Sequence, residues 1–337
     1  MSTRLRQIAV GVIAALALVT VVVVGVFAWQ RGVADQTASS AVATSPDRAW
    51  DEGDRIVFRN TAMGEGYGHL ASVPLSRPSA PRALADIACD RVDAVAEALV
   101  CLRTERGVVP DYTATLYAAD GMERARWSLS GIPSRTRLSD DGKILATTAF
   151  VTGHSYAALG FSTETVLRTG DGDPFANLEE FALTIDGVTD APVDRNFWGV
   201  TFVDDSAFYA TARTGGRTYL VRGDLDARTL ESVAADVECP SVSPDGTRVA
   251  FKLVTSGSGP TVHWTPAILD LATKEVTELP ESRSVDDQIE WLDDETIMYG
   301  IPRTAGDTDV WALSADGSAD PITLIEHAWS PSVVRDR

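Results

Sequence analysis

The sequence predicts an all-β fold, a six-bladed β-propeller preceded by one N-terminal transmembrane helix, and three observations carry that expectation. A turn-and-strand motif recurs at intervals of roughly 40 to 50 residues, the period of propellers and arrays. The residues after each turn are β-branched or aromatic, the types that fit a pleated sheet. An uncharged apolar run over residues 8–29 stands apart from the repeats.

The apolar run, IAVGVIAALALVTVVVVGVFAW, shows no amphipathic order. At a helical rise of about 1.5 Å per residue, about 22 residues cover about 33 Å, against a hydrocarbon core of about 30 Å. A membrane span is expected. A cleaved signal is the alternative, with Val26-Phe27-Ala28 or Ala41-Val42-Ala43 as the cleavage site, but signal cores are usually only about 7 to 15 residues long. Arg4 and Arg6 precede the run, so the positive-inside rule leaves the N-terminus in the cytoplasm and the rest outside. The expected division is a tail at 1–7, the membrane helix at 8–29, a flexible tether at 30–48 and the propeller at 49–337. The tether, QRGVADQTASSAVATSPD over most of its length, is small, polar and without periodicity, which is linker composition.

The net charge is −19, and both tail arginines lie before the apolar run, so the exported part is more acidic still. Such a surface excludes nucleic acid as an expected partner. Cys89 and Cys101 fall outside the membrane in this topology, where disulfides persist, and a bridge between them is expected, with two buried free thiols as the alternative. Cys239, beside Pro240, reads as a small buried residue.

The clearest repeats are Ser243-Pro244-Asp245-Gly246 before Val249-Ala250-Phe251 and Ser139-Asp140-Asp141-Gly142 before Ile144-Leu145-Ala146. The Asp-Gly pair supplies the positive φ of a tight hairpin. Weaker copies precede Ile56, Phe208 and Ile297, and a degenerate one covers Val92 to Leu102. Aligned on one strand position, the copies place Ile56, Leu99, Leu145, Phe208, Val249 and Ile297 in equivalent sites. The interval from Leu145 to Phe208 is the longest, which predicts an insertion in the third blade from Thr169-Gly170-Asp171-Gly172-Asp173-Pro174 onward. Ala328-Trp329-Ser330-Pro331 repeats the chemistry of Ala49-Trp50-Asp51-Glu52, so the C-terminus is expected to return to the first blade and close the ring. Which end supplies which strand stays open.

These residues resemble the TolB-like six-bladed propellers, whose repeats carry Trp-Ser-Pro-Asp-Gly turns and Asp-Val-Trp strands. The matching positions are Ser243 to Gly246, Asp309-Val310-Trp311 and Trp329-Ser330-Pro331, and the resemblance covers roughly residues 49 to 334. Asn196-Phe197-Trp198-Gly199-Val200-Thr201-Phe202 and Ser284-Val285-Asp286-Asp287-Gln288 are similar to membrane-anchored actinobacterial members. The resemblance implies a non-enzymatic scaffold that binds envelope proteins or peptides at its propeller. The chain lacks any region similar to the additional N-terminal α/β domain of TolB, so a Tol–Pal role does not carry over.

Catalytic chemistry is not legible. No nucleophile elbow is present, and Thr255-Ser256-Gly257-Ser258-Gly259-Pro260 reads as a loop. His69, His154, His263 and His327 share no metal-ligand spacing. Asp171-x-Asp173 lacks the rest of a calcium loop, Asp307-x-Asp309 is weaker, and no phosphate-binding or dinucleotide fingerprint occurs, so no cofactor is expected. In a propeller the residues just before each innermost strand ring one channel mouth. These are Asp90 and Arg91, Arg135, Asn196 with Phe197 and Trp198, Glu238, Asp287 with Gln288, and His327. Charged and aromatic groups converging on a concavity make a ligand site, although the same residues could simply solvate strand ends. The expectation is a non-catalytic envelope protein whose partners are the bilayer, through residues 8–29, and a protein, peptide or glycan at this mouth. The alternative is a metal-dependent, lactonase-like propeller hydrolase.

Overall fold

The computed structural model describes residues 3–37, 42–151 and 162–336. His154 and residues 38–41 of the expected tether lie outside them.

The N-terminal unit contains one helix, Thr3–Thr37. Among the described residues no helix is long and apolar enough to cross a membrane, so the span expected at 8–29 is not shown. The helix also runs through residues 30–37, whose composition reads as a tether.

The second unit is an all-β propeller of six sheets. Its backbone pairing starts before Ala49: Ser45 N donates to Arg82 O at 2.8 Å, and Arg82 N donates to Ala43 O at 3.1 Å. The innermost strands of blades 1 to 6 are Ala328–Val334, Arg91–Ala94, Ile132–Leu138, Asn196–Phe202, Glu238–Val242 and Glu290–Trp291. Blade 1 is completed by Arg55–Asn60, His69–Pro74 and Ala83–Ala88, so the C-terminal strand pairs antiparallel with the first propeller strand, Ile56 against Val333. This decides the question of closure: the C-terminus supplies the innermost strand and the N-terminal part supplies the outer three. The six aligned positions, Ile56, Leu99, Leu145, Phe208, Val249 and Ile297, all fall on the second strand of their blades and are at most 2% exposed.

The two clear turns are superposable in their bonding. Gly142 N donates to Ser139 O and Gly246 N to Ser243 O, both at 2.8 Å, while each serine hydroxyl donates to the aspartate two residues on. Gly142 and Gly246 have φ of 69° and 72°, where a Cβ is disfavoured.

Two expectations need correction. The segment Thr169 to Pro174 is an ordinary hairpin turn of blade 3, with Thr169 N bonded to Asp173 O. The additional chain is instead the hairpin Ala182–Ile185 and Val188–Asp190, which joins blade 4 by parallel pairing with its outer strand, Thr229–Ala235. The second correction concerns Trp329-Ser330-Pro331, which is no turn. It lies inside the innermost strand of blade 1, where Ser330 at φ 54° marks a break in register. A bulge in a strand and a tight turn both call for a residue at positive φ, so local chemistry does not separate them.

Cys89 and Cys101 form a disulfide, with Cα atoms 5.6 Å apart. Cys101 lies on the second strand of blade 2 and Cys89 just before the first. The bridge closes a loop with a sequence separation of 12, and it links a blade whose first turn lacks Asp-Gly. Replacing both cysteines by alanine is expected to lower unfolding free energy by about 2 to 4 kcal/mol, read by urea denaturation against the oxidised protein. An unchanged midpoint would show that the crosslink adds nothing.

Candidate functional site

Among the described residues neighbouring blades share no backbone ladder along the channel, so side chains join them. Ser330 Oγ accepts from Val92 N at 3.2 Å, and Ser332 Oγ accepts from Ala94 N at 2.9 Å, which ties blade 1 to blade 2. Asn196 Oδ1 accepts from Thr163 N at 3.0 Å, and the Thr163 and Thr165 hydroxyls donate to Phe197 O, which ties blade 3 to blade 4. Thr201 Oγ1 accepts from Val242 N at 3.2 Å, and Trp291 Nε1 donates to Ser241 O at 2.8 Å, which joins blades 4, 5 and 6.

Arg137, on the innermost strand of blade 3, crosses the channel. Its Nη1 meets Asp93 Oδ1 of blade 2 at 3.2 Å and Glu290 Oε2 of blade 6. Its Nη2 donates to Ile289 O at 3.2 Å. With the Gln288 amide turned so that its oxygen faces the guanidinium, Gln288 accepts from Nε at 2.9 Å and from Nη2 at 2.6 Å. The Asp93 carboxylate also accepts from Leu138 N at 2.7 Å. Burial opposes the charge on Arg137, yet Glu290 and Asp93 push its pKa up. Two buried carboxylates thus face one guanidinium. Burial, with repulsion from Glu290, pushes the Asp93 carboxyl up to about 7 against the pull of Arg137. This plug divides the channel into two mouths.

The first mouth, where the innermost strands begin, is the one whose residues are legible in the sequence. The structure brings Arg91, Arg135, Glu238, Asp287 and Gln288 to it, but gives each a partner within the protein: Arg91 and Asp287 pair with each other, Arg135 faces Asp286, Glu238 accepts from Trp264 and Gln288 from Arg137. Arg91 Nη1 lies 2.6 Å from Asp287 Oδ1 with its guanidinium over the Trp329 ring, and Asp287 Oδ2 accepts from Gly300 N at 2.9 Å. A Cβ on Gly300 would stand 2.5 Å from the Trp329 ring and 2.8 Å from that carboxylate, so only glycine admits this contact. Lys252, missed in the sequence, places Nζ 2.8 Å from Asp286 and above the Trp264 ring, whose Nε1 donates to Glu238. Burial raises the pKa of Glu238 against the pull of Lys252. A small cavity of about 10 Å³ lies between Arg91, Arg135, Gln288 and Ser330, against the plug.

Other residues expected at this mouth have structural partners. Asn196 and Asp287 are fully buried. Phe197 is 1% exposed within a core cluster of blades 3 and 4 that includes Leu167, Phe208 and Ala212, and Trp198 is 6% exposed, so neither offers a free aromatic face. The innermost strand of blade 4 is buried on both sides, which erases the alternation that would have told channel-facing from core-facing residues. Asp90 accepts from Thr104 N at 2.8 Å. His327 Nδ1 lies 2.9 Å from Asp307 and its backbone oxygen accepts from Thr61 N and Arg82, a seam between blades 6 and 1. Among the described residues no group of three or more His, Cys, Asp or Glu side chains is arranged to hold a metal ion.

The second mouth, where the innermost strands end and the Asp-Gly turns cluster, is hollow. A cavity of about 380 Å³ opens there, with Arg137 and Glu290 at the plug and Val95, Phe202, Val203 and Pro244 among its walls. Its volume falls at the small end of the about 300 to 1,000 Å³ of ligand sites. The residues that sequence reasoning named as candidates stand at the other mouth, where the innermost strands begin.

The architecture is shared with solved propellers. TolB from Acinetobacter baumannii aligns with a TM-score of 0.57 at 17% identity, over 85% of this chain and 67% of that one. A chain of the nidogen/laminin complex aligns with a TM-score of 0.54 at 12% identity, over 83% of this chain and 98% of that one. A putative TolB from Agrobacterium tumefaciens gives 0.49 at 11% identity, over 82% and 91%. At these identities the likeness extends to the fold alone. No family model matches the sequence, and no curated protein matches it.

Two outcomes test the assignment of roles. Phe197→Ala is expected to cost about 3 to 5 kcal/mol of stability, as core aromatic truncations do, measured by denaturant unfolding; a cost under about 1 kcal/mol would return Phe197 to the surface. The second concerns pH. Because the folded-state pKa of Asp93 lies above its unfolded value of 3.8, the folded state holds the extra proton between those pH values, and this group's contribution to stability falls as pH rises from about 4 to about 7. Asp93→Asn, which retains an acceptor for Leu138 N, should flatten the fall in melting temperature across that window. An identical slope in the two proteins would show that Asp93 titrates normally.

Proposed function

We propose that this chain is a membrane-anchored, extracytoplasmic binding propeller, similar in kind to the anchored TolB-like proteins of actinobacteria. Its ligand is an envelope protein, peptide or glycan, taken at the hollow mouth. The observation that carries the reading is the contrast between the two mouths: one is filled by its own ion pairs, and the other keeps a cavity of about 380 Å³ above the Arg137 plug. A binding role needs a preformed concavity with a few fixed polar groups, and this mouth supplies both. The apolar run at 8–29 supports the anchor, and the Cys89–Cys101 disulfide suits an oxidising compartment outside the cytoplasm. The scaffold binds rather than reacts: the buried Arg137, Asp93 and Glu290 groups satisfy one another, and among the hydroxyls that line the cavity Ser243 is held by Asp245 and by Arg248 N.

Both parts can be tested in one preparation of the full-length chain. A photo-crosslinking residue replaces Val203, which is 42% exposed at the cavity wall, and in a second protein it replaces Asp286 at the filled mouth. After irradiation and alkaline carbonate washing of membranes, the chain is expected in the pellet and adducts are expected from position 203 only. Release into the wash would remove the anchor. Adducts from position 286 alone, or from neither, would remove the hollow mouth as the binding surface.

A further inference from the structure

Arg135, on the innermost strand of blade 3, is 9% exposed and lines the small cavity against the plug. A guanidinium carries five N–H donors. Among the described residues the hydrogen bonds of Arg135 come to one, from Nη1 to Ser134 O at 3.0 Å, and its buried Nε has no partner. Asp286 lies 3.7 Å from Nη2, beyond hydrogen-bond distance, with its own side chain 65% exposed and bonded to Lys252 at 2.8 Å. The remaining polar neighbour is the Cys239 side chain, and sulfur is a weak acceptor.

The carboxylates around this cavity are engaged elsewhere. Asp93 and Glu290 face Arg137, and Asp287 takes Arg91 and Gly300 N. Arg91, Arg135 and Arg137 line the cavity against two carboxylates, Asp93 and Glu290, so its wall carries one more cation than anion. Burial, with repulsion from Arg135, lowers the pKa of Arg91. A buried donor without an acceptor is costly, and so is a buried charge without a counter-ion. A space of about 10 Å³ admits one particle of roughly the size of a water molecule. Water there would accept the Nε hydrogen and leave the surplus charge, whereas an anion answers both.

We propose that this cavity is a site for one monatomic anion, chloride, which accepts from Arg135 Nε and sits beside the Arg91 guanidinium. Such an ion joins blade 3 to blade 2 at the filled mouth, and it does not rest on the reading of the hollow mouth as the ligand surface.

The test melts the full-length chain in detergent micelles in sodium gluconate and in sodium chloride at equal ionic strength, where screening is the same. Chloride is expected to raise the melting temperature by about 3 °C and to saturate as a single site, with bromide acting likewise. Arg135→Met, which keeps the bulk and removes the donors, should abolish the increment. Arg217→Met, at a side chain 53% exposed and paired with Asp236, should retain it. Equal melting temperatures in the two salts, an increment that survives in Arg135→Met, or one that disappears equally in Arg217→Met would overturn the proposal. If Arg135→Met does not fold, crystals of the full-length chain grown in sodium bromide give the answer by anomalous scattering. A bromide peak within hydrogen-bond distance of Arg135 Nε supports the site, and density for a water there without anomalous signal overturns it.

Discussion

The six innermost strands converge on one axis without hydrogen-bonding to each other as a sheet, and Arg137 is the group that spans the gap between them. One guanidinium reaches Asp93 of blade 2, Glu290 and Ile289 of blade 6, and remains covalently part of blade 3. Ser332 of blade 1 meets the same Asp93 carboxylate at 3.4 Å, and Val333 N donates to Glu290 at 3.3 Å. The closing strand is therefore held both by its ladder to Arg55–Asn60 and by the plug. Removing one partner of such a buried pair leaves an uncompensated charge, typically at a cost of about 3 to 5 kcal/mol, so the centre of the ring tolerates little change.

That constraint explains why the two mouths differ. The strand starts lie where cations and carboxylates from different blades can meet side by side, and Arg91 with Asp287 and Lys252 with Asp286 do so. The strand ends run into tight turns whose serines and aspartates bond to their own backbone, as Ser243 and Asp245 do. Local satisfaction keeps those turns compact, and the ties between them, Lys143 to Asp205 and Asp245 N to Asp294, run between neighbouring blades. Space is left above the plug because no side chain is required to fill it.

The identity of the mouth residues was partly readable, their employment was not. Arg91, Arg135, Glu238, Asp287 and Gln288 do stand at the strand starts. Residue type alone cannot say that Asp287 would be 0% exposed, because the group that buries it is Arg91, nearly two hundred residues away in the chain. Phe197 and Trp198 illustrate a second limit: on a strand covered on both faces every position is apolar or satisfied, and the period of two that separates inside from outside disappears.

The sequence by itself determined the strand class, the blade count and the repeat register, since these follow from local rules: a positive-φ glycine after aspartate, then β-branched and aromatic residues, at a fixed interval. It also made the one disulfide an expectation, with free thiols as the alternative, and the structure supplied the approach of Cys89, just before the first strand of blade 2, to Cys101 on the second. Only the tertiary structure decided that the C-terminal strand lies innermost in blade 1, that Trp329-Ser330-Pro331 is a bulged strand, that the Ala182–Asp190 insertion belongs to blade 4, and which mouth is open. Each of these depends on contacts between segments remote in the chain, whose free energies are set by burial and charge pairing across blades and leave no periodic trace in the order of the residues.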